Sequence, residues 1–107
     1  MAWLLVLLAS AFEVAFALSM KASFGFTRLM PSVIAVTTGI ASVVILSQAL
    51  RTLPVGTGYA AWTGIGATGS VLLGILLFNE SRDPARLVSI GLIIAGIVGL
   101  RLTTTAE

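Results

Sequence analysis

Four apolar runs dominate the sequence, at about 2–20, 30–50, 57–78 and 85–103, with short polar breaks between them. A helix rises about 1.5 Å per residue, so roughly 20 residues cross a hydrocarbon core about 30 Å thick. In lipid, every backbone N–H and C=O needs a partner within the protein, which leaves helices as the structure open to such runs. The predicted fold class is therefore all-α and integral to the membrane. Four transmembrane helices are expected to form a single domain over 1–107. The connections, Lys21 to Leu29, Arg51 to Gly56 and Asn79 to Pro84, are too short for a further domain and make neighbouring helices antiparallel. Composition agrees, because 9% of residues are charged, against about a quarter in soluble domains. The first run has no basic stretch before it and carries a carboxylate, so it is expected to be a retained helix rather than a secretory leader.

That carboxylate is Glu13, the acidic residue within the long apolar runs. It lies roughly 16–18 Å along the first helix, a little past the middle of the hydrocarbon core. An ionisable group at that depth costs several kcal/mol unless it faces protein or water, so it reads first as functional. The alternative is a protonated acid hydrogen-bonded inside the bundle. With no cysteine and no histidine, disulfides, thiolate chemistry and the usual zinc and haem ligand sets are excluded, and no metal site is expected. A net charge of +2, spread along the chain, gives no nucleic-acid-binding patch.

The surroundings of Glu13 can be placed by helical spacing. Ala9 and Ala17 share its face at i±4, with Ser10 and Met20 near, and these small neighbours leave room beside the carboxylate. On the second helix Thr38 and Ser42 bring hydroxyls to a similar depth. On the third, Tyr59, Trp62, Thr63 and Gly66 form a stripe; the aromatics there can equally be interfacial anchors or packing residues. A carboxylate flanked by ring faces and hydroxyls suits a small organic cation, since the charges match, rings attract cations and hydroxyls orient the acid. Proton and cation then compete for one group, and that competition is sufficient for antiport with a proton gradient as energy source and no cofactor.

The remaining helices bear on assembly. Lys21, Arg28, Arg82 and Arg86 fall on one side of the membrane, and Arg51, Arg101 and the α-amino group on the other. So even a balance specifies orientation weakly and lets both orientations insert. Many transporters place their site between inverted repeats, and an antiparallel homodimer would supply the second half in trans; a parallel dimer is the alternative. Gly91, Ala95 and Gly99 recur every four residues as a close-approach face for dimerisation, unless they pack against a helix of the same subunit. Gly64 and Gly66 are a candidate hinge in helix 3, or serve tight packing.

The chain resembles the small multidrug resistance family over essentially its whole length. The resemblance rests on Glu13 with Val14, on Gly25-Phe26-Thr27-Arg28-Leu29-Met30-Pro31-Ser32, and on the segment from Pro54-Val55-Gly56 through Tyr59-Ala60-Ala61-Trp62-Thr63-Gly64-Ile65-Gly66. Trp62 to Gly66, Met1-Ala2-Trp3 and Gly99-Leu100-Arg101 are most similar to its guanidinium-exporter branch. The resemblance implies an antiparallel, dual-topology dimer in a bacterial-type inner membrane, exchanging protons for cations at paired Glu13 residues. Helix 4 would dimerise, helix 3 would bend, and the site would fall on Glu13, Ser42, Tyr59 and Trp62, with Phe16 and Thr63 beside them. Two departures stand out: Phe16 where that branch usually has tryptophan, and Gly58 where it usually has alanine. Both remove bulk or polarity, and these departures count against strict guanidinium selectivity and point to a roomier site open to alkylated guanidines or quaternary ammonium compounds. A helper subunit that works in a heterodimer with a paralogue is a different function class. A passive channel fits poorly, because no polar stripe runs along the spans.

Overall fold

The computed structural model describes residues 1–103, and 104–107 lie outside the described residues. Four helices, α1 (Ala2–Ala22), α2 (Leu29–Ala49), α3 (Val55–Phe78) and α4 (Pro84–Thr103), follow in order, each long and apolar enough to cross a membrane. Their ends fall within two residues of the sequence expectation. Proline marks the starts: Pro54 precedes α3 and Pro84 opens α4, positions where a missing N–H breaks no intrahelical bond. Asn79 ends α3 in the left-handed region at φ 54°, and the next amide, of Glu80, donates to Gly74 O at 3.3 Å.

Several hydroxyls inside the spans are returned to their own helix backbone. Thr38 Oγ1 donates to Ile34 O at 2.7 Å, Ser89 Oγ to Ala85 O at 2.9 Å and Thr103 Oγ1 to Gly99 O at 2.9 Å. An unpaired hydroxyl in hydrocarbon would cost free energy, and this back-bonding removes the cost without a partner helix.

α1 packs against α2 and α3, whereas α4 packs on α3 alone among the described helices. The molecule is a slab of 43 × 34 × 16 Å. Its thin dimension is little more than the roughly 10–12 Å diameter of one helix with its side chains, so there is almost no interior. What core exists lies at one end, where Ala2, Trp3, Val6 and Ala9 of α1 meet Leu46 and Ala49 of α2 and Ala61 and Trp62 of α3. Alanines at these contacts bring the backbones close, which is what holds helices together where lipid is as apolar as leucine. At the opposite end the joint is ionic: Glu80 lies 3.7 Å from Lys21 Nζ of α1 and 3.1 Å from Arg86 Nη2 of α4.

The α1–α2 connection is the strained segment. Phe24, Gly25 and Phe26 all take positive φ, at 47°, 72° and 64°. For phenylalanine that region costs on the order of 1–3 kcal/mol. Buried Ser23 offsets part of it, its hydroxyl donating to Met20 O at 2.6 Å and accepting the Phe26 N–H at 2.9 Å.

Candidate functional site

Glu13 sits midway along α1 with its side chain against α3 at Gly66. A Cβ built on Gly66 would stand 2.8 Å from Glu13 Cγ, closer than real carbon pairs approach. Glycine at 66 is therefore what lets the carboxylate-bearing face of α1 settle onto α3. One turn on, Gly69 does the same for Val14, whose Cγ2 would lie 2.7 Å from a built Cβ.

A chain of hydrogen bonds fixes the aromatic side of the site. Trp62 Nε1–H donates to Ser42 Oγ at 2.8 Å, and Ser42 Oγ–H donates to Ala9 O at 2.6 Å. Ala9 lies one turn before Glu13, and helical geometry directs the Glu13 N–H at that same carbonyl. The indole on α3, the hydroxyl on α2 and the backbone turn under Glu13 are thus one unit. Ser10 closes it from the other side, donating to Val6 O at 2.7 Å with Trp62 O 3.4 Å away. Tyr59 stacks edge-on against Trp62, ring centroids 5.2 Å apart at 63°.

Beside Glu13 opens a cavity of about 500 Å³. Glu13, Phe16 and Trp62 face it, and its far wall is α2, including Gly39, Ile40 and Val43. The volume falls in the range of roughly 300–1,000 Å³ typical of small-molecule sites. Its lining is apolar apart from the carboxylate and the indole. Ile40 and Val43 are exposed in the isolated chain, so the cavity opens toward the bilayer or toward a second subunit. The ring of Phe16 lies against Gly39, where a built Cβ would be 3.0 Å from Cδ1.

The structure brings some expected site residues together and keeps others apart. Glu13, Phe16 and Trp62 share the cavity. Ser42 is fully buried behind Trp62, with its hydroxyl used once as donor and once as acceptor. Tyr59 reaches the site through Trp62 and is itself 56% exposed. Thr63 is exposed and does not line the cavity, being turned about 100° from Trp62 around α3. Thr38 borders a separate pocket with Ala11, Phe12 and Ala15, on another face of α1.

The glycines divide by partner. α3 runs unbroken through Gly64 and Gly66, and both are contact points: Gly64 meets Ile93 and Ile97 of α4, as Gly66 meets Glu13. Gly91, Ala95 and Gly99 are exposed, and a Cβ built on either glycine meets nothing within 4 Å. That face is bare within the subunit. Gly58 is buried against the side chains of Leu50 and Leu53, away from the cavity, so its lost methyl makes room for the α2–α3 connection and not for a ligand. The α2 wall at Gly39, Ile40 and Val43 was not anticipated, although Gly39 is the single glycine of α2 and could have marked a close approach.

The profile of the family described as Small Multidrug Resistance protein matches residues 1–93. A protein named Guanidinium exporter from Citrobacter freundii is 56% identical over 104 residues, 97% of this chain and 99% of that protein. Proteins of the same name from Salmonella typhimurium LT2 and Escherichia coli K12 are 53% and 50% identical over 103 and 104 residues. Those alignments take in 96% and 97% of this chain, and 98% and 99% of the relatives.

Proposed function

The chain belongs to the small multidrug resistance family of membrane transporters, within the branch of its guanidinium exporters, and we propose that it is a proton-coupled antiporter exporting guanidinium or related small organic cations across a bacterial cytoplasmic membrane. The observation that carries this reading is Glu13, a carboxylate facing a 500 Å³ cavity that is otherwise walled by rings and aliphatic side chains. A planar cation pairs with the carboxylate through two N–H groups, its face meets Trp62, and an apolar substituent occupies the wall formed by α2. A proton on Glu13 removes the charge that holds the cation. Binding of one then expels the other, and the proton gradient drives export with no cofactor.

The working unit in this proposal is an antiparallel homodimer with paired Glu13 residues. A 16 Å slab whose site lies open on one flank needs a second copy to close it. The bare face of Gly91, Ala95 and Gly99 offers the contact, and the even spread of Lys and Arg favours neither orientation over the other. In this reading Glu13, Trp62 and Phe16 meet the cation, Ser42 and Tyr59 hold Trp62, Thr63 faces the partner subunit, and Gly66 and Gly64 seat Glu13 and α4 on α3.

Phe16 favours a second, broader reading in which quaternary ammonium compounds also pass, because a phenyl ring offers no N–H to brace the carboxylate. A helper subunit acting with a paralogue is the third. Purified protein reconstituted alone, with currents recorded for guanidinium and a tetraalkylammonium under a proton gradient, separates them. Guanidinium current alone supports the narrow exporter, current with both supports the broad one, and none with either supports the helper. Current that survives Glu13→Gln overturns the shared-site mechanism.

A further inference from the structure

α4 is the least embedded helix. It rests on α3, Ile90 is its one buried residue among those described, and it makes no packing contact along α1. Its two arginines nevertheless tie it toward α1, Arg86 through Glu80 at one end and Arg101 directly at the other. At one end Arg86 Nη2 donates to Glu80 Oε1 at 3.1 Å, while the other oxygen of that carboxylate is 3.7 Å from Lys21 Nζ. At the other, the guanidinium carbon of Arg101 lies 5.4 Å from the centroid of the Trp3 ring. Trp3 is no loose surface ring; it is buried in the cluster that also contains Ala61 and Trp62. The two terminal segments that place this sequence in its branch, Met1-Ala2-Trp3 and Gly99-Leu100-Arg101, therefore meet in space.

The contact matters because little else fixes how α4 is turned. It is seated on α3 alone among the described helices, where Ile93 Cγ2 and Ile97 Cδ1 lie against Gly64, so a single helix–helix contact sets how it is turned. No hydrophobic force opposes its rotation in lipid, where dispersion contacts and a few polar interactions decide helix geometry. A guanidinium over an indole face is one such interaction, and it strengthens as water is excluded. We propose that Arg101, its guanidinium over the ring of Trp3, is a positioning residue that sets the rotation of α4 and keeps Gly91, Ala95 and Gly99 turned outward to a second copy of the chain. The proposal rests on the dimer reading above. Glu80, joining Arg86 to Lys21, holds the opposite end.

The test is the dimer dissociation constant in lipid bilayers, read by energy transfer between labelled subunits diluted into excess lipid. The comparison covers the full chain, Trp3→Leu, Trp3→Phe, Arg101→Gln, Arg101→Lys and the Trp3→Leu/Arg101→Gln double variant. Trp3→Leu and Arg101→Gln are each expected to weaken the dimer about three- to fivefold, the loss of one such contact. The double variant should be no weaker than either single one, because each has already removed the shared contact. Arg101→Lys and Trp3→Phe, which keep a cation and a ring, should recover most of the affinity. Single variants with unchanged dissociation constants, losses that add in the double variant, or an Arg101→Lys as weak as Arg101→Gln would each overturn the proposal while leaving the dimer intact. An unsubstituted chain that stays monomeric would overturn the dimer reading itself and the proposal with it.

Discussion

The indole N–H of Trp62 is bonded to the hydroxyl of Ser42 at 2.8 Å, and that hydroxyl donates its own hydrogen to the backbone of α1 at Ala9 O, 2.6 Å away. Ser42 is thus expected to act by holding the ring that faces the cavity. Ser42→Ala should strand a buried indole N–H, a loss of about 1 kcal/mol by the usual scale of such bonds in membranes and cores. Cation affinity should fall about fivefold, the same energy expressed as a binding ratio. In Trp62→Phe the donor is already gone, so adding Ser42→Ala should cost little more. Equilibrium binding to the unsubstituted chain, the two single variants and the double variant checks it. A Ser42→Ala loss as large on top of Trp62→Phe as in the unsubstituted chain would show that Ser42 touches the cation directly.

The contact between Gly66 and Glu13 separates packing from bending. A methyl at 66 meets Glu13 Cγ at 2.8 Å and so displaces the carboxylate itself, whereas at 64 it meets Ile97 Cδ1 at 2.8 Å and Ile93 Cγ2 at 3.1 Å, contacts that α4, packed on α3 alone among the described helices, relieves by a small shift. Overpacking of the first kind costs about 1–3 kcal/mol. Gly66→Ala is expected to lower transport at least tenfold and to reduce thermal stability, with Gly64→Ala close to unsubstituted in both. Transport assays beside thermal unfolding check this. If α3 works instead as a hinge at both glycines, the two variants should lose transport alike while keeping their stability.

These contacts show where the sequence was legible and where it stopped. Four spans were readable because each apolar run had to be a helix in lipid, and Pro54, Pro84 and Asn79 punctuate them as their backbone limits require. Glu13 stood out because a carboxylate in hydrocarbon is costly. Which neighbours would face it was less readable. Helical spacing put Tyr59, Trp62, Thr63 and Gly66 on one stripe, but a stripe spanning that arc includes Thr63, which the packing of α3 leaves exposed. Thr38 and Ser42, alike in depth, part company because α1 covers one and a separate pocket takes the other. The cavity wall at Gly39, Ile40 and Val43 depends on how α1 and α2 cross, for which Gly39 is the one local mark in α2.

Phe16 supplies a prediction about selectivity. Its ring lies on Gly39 and faces the cavity, so Phe16→Trp would add an N–H next to the carboxylate and fill part of the volume. The added donor braces the acid for a planar cation, and the added bulk works against a tetrahedral one. The ratio of guanidinium to tetraalkylammonium transport should rise about tenfold, the discrimination that roughly 1–3 kcal/mol of pocket contacts provides. Gly58→Ala, which meets Leu50 and Leu53 instead of the cavity, should leave the ratio unchanged. Paired transport currents under one proton gradient measure both.

The competition proposed at Glu13 fixes the sign of the pH dependence. If proton and cation share the carboxylate, each added proton removes a site, so acidification weakens cation binding and alkalinisation strengthens it until the group is fully ionised. Below the apparent pKa values of the Glu13 pair the dissociation constant should rise about tenfold per pH unit for each proton displaced, and above them it should level off. Guanidinium binding measured across pH on the reconstituted protein gives the curve, and Glu13→Gln, which cannot release a proton, should bind weakly and show no slope. Proton release on cation binding, read in weakly buffered solution, must then follow the same curve. A dissociation constant that is flat through the whole range, with release absent, would mean that proton and cation occupy different groups and that the antiport cycle does not run through Glu13.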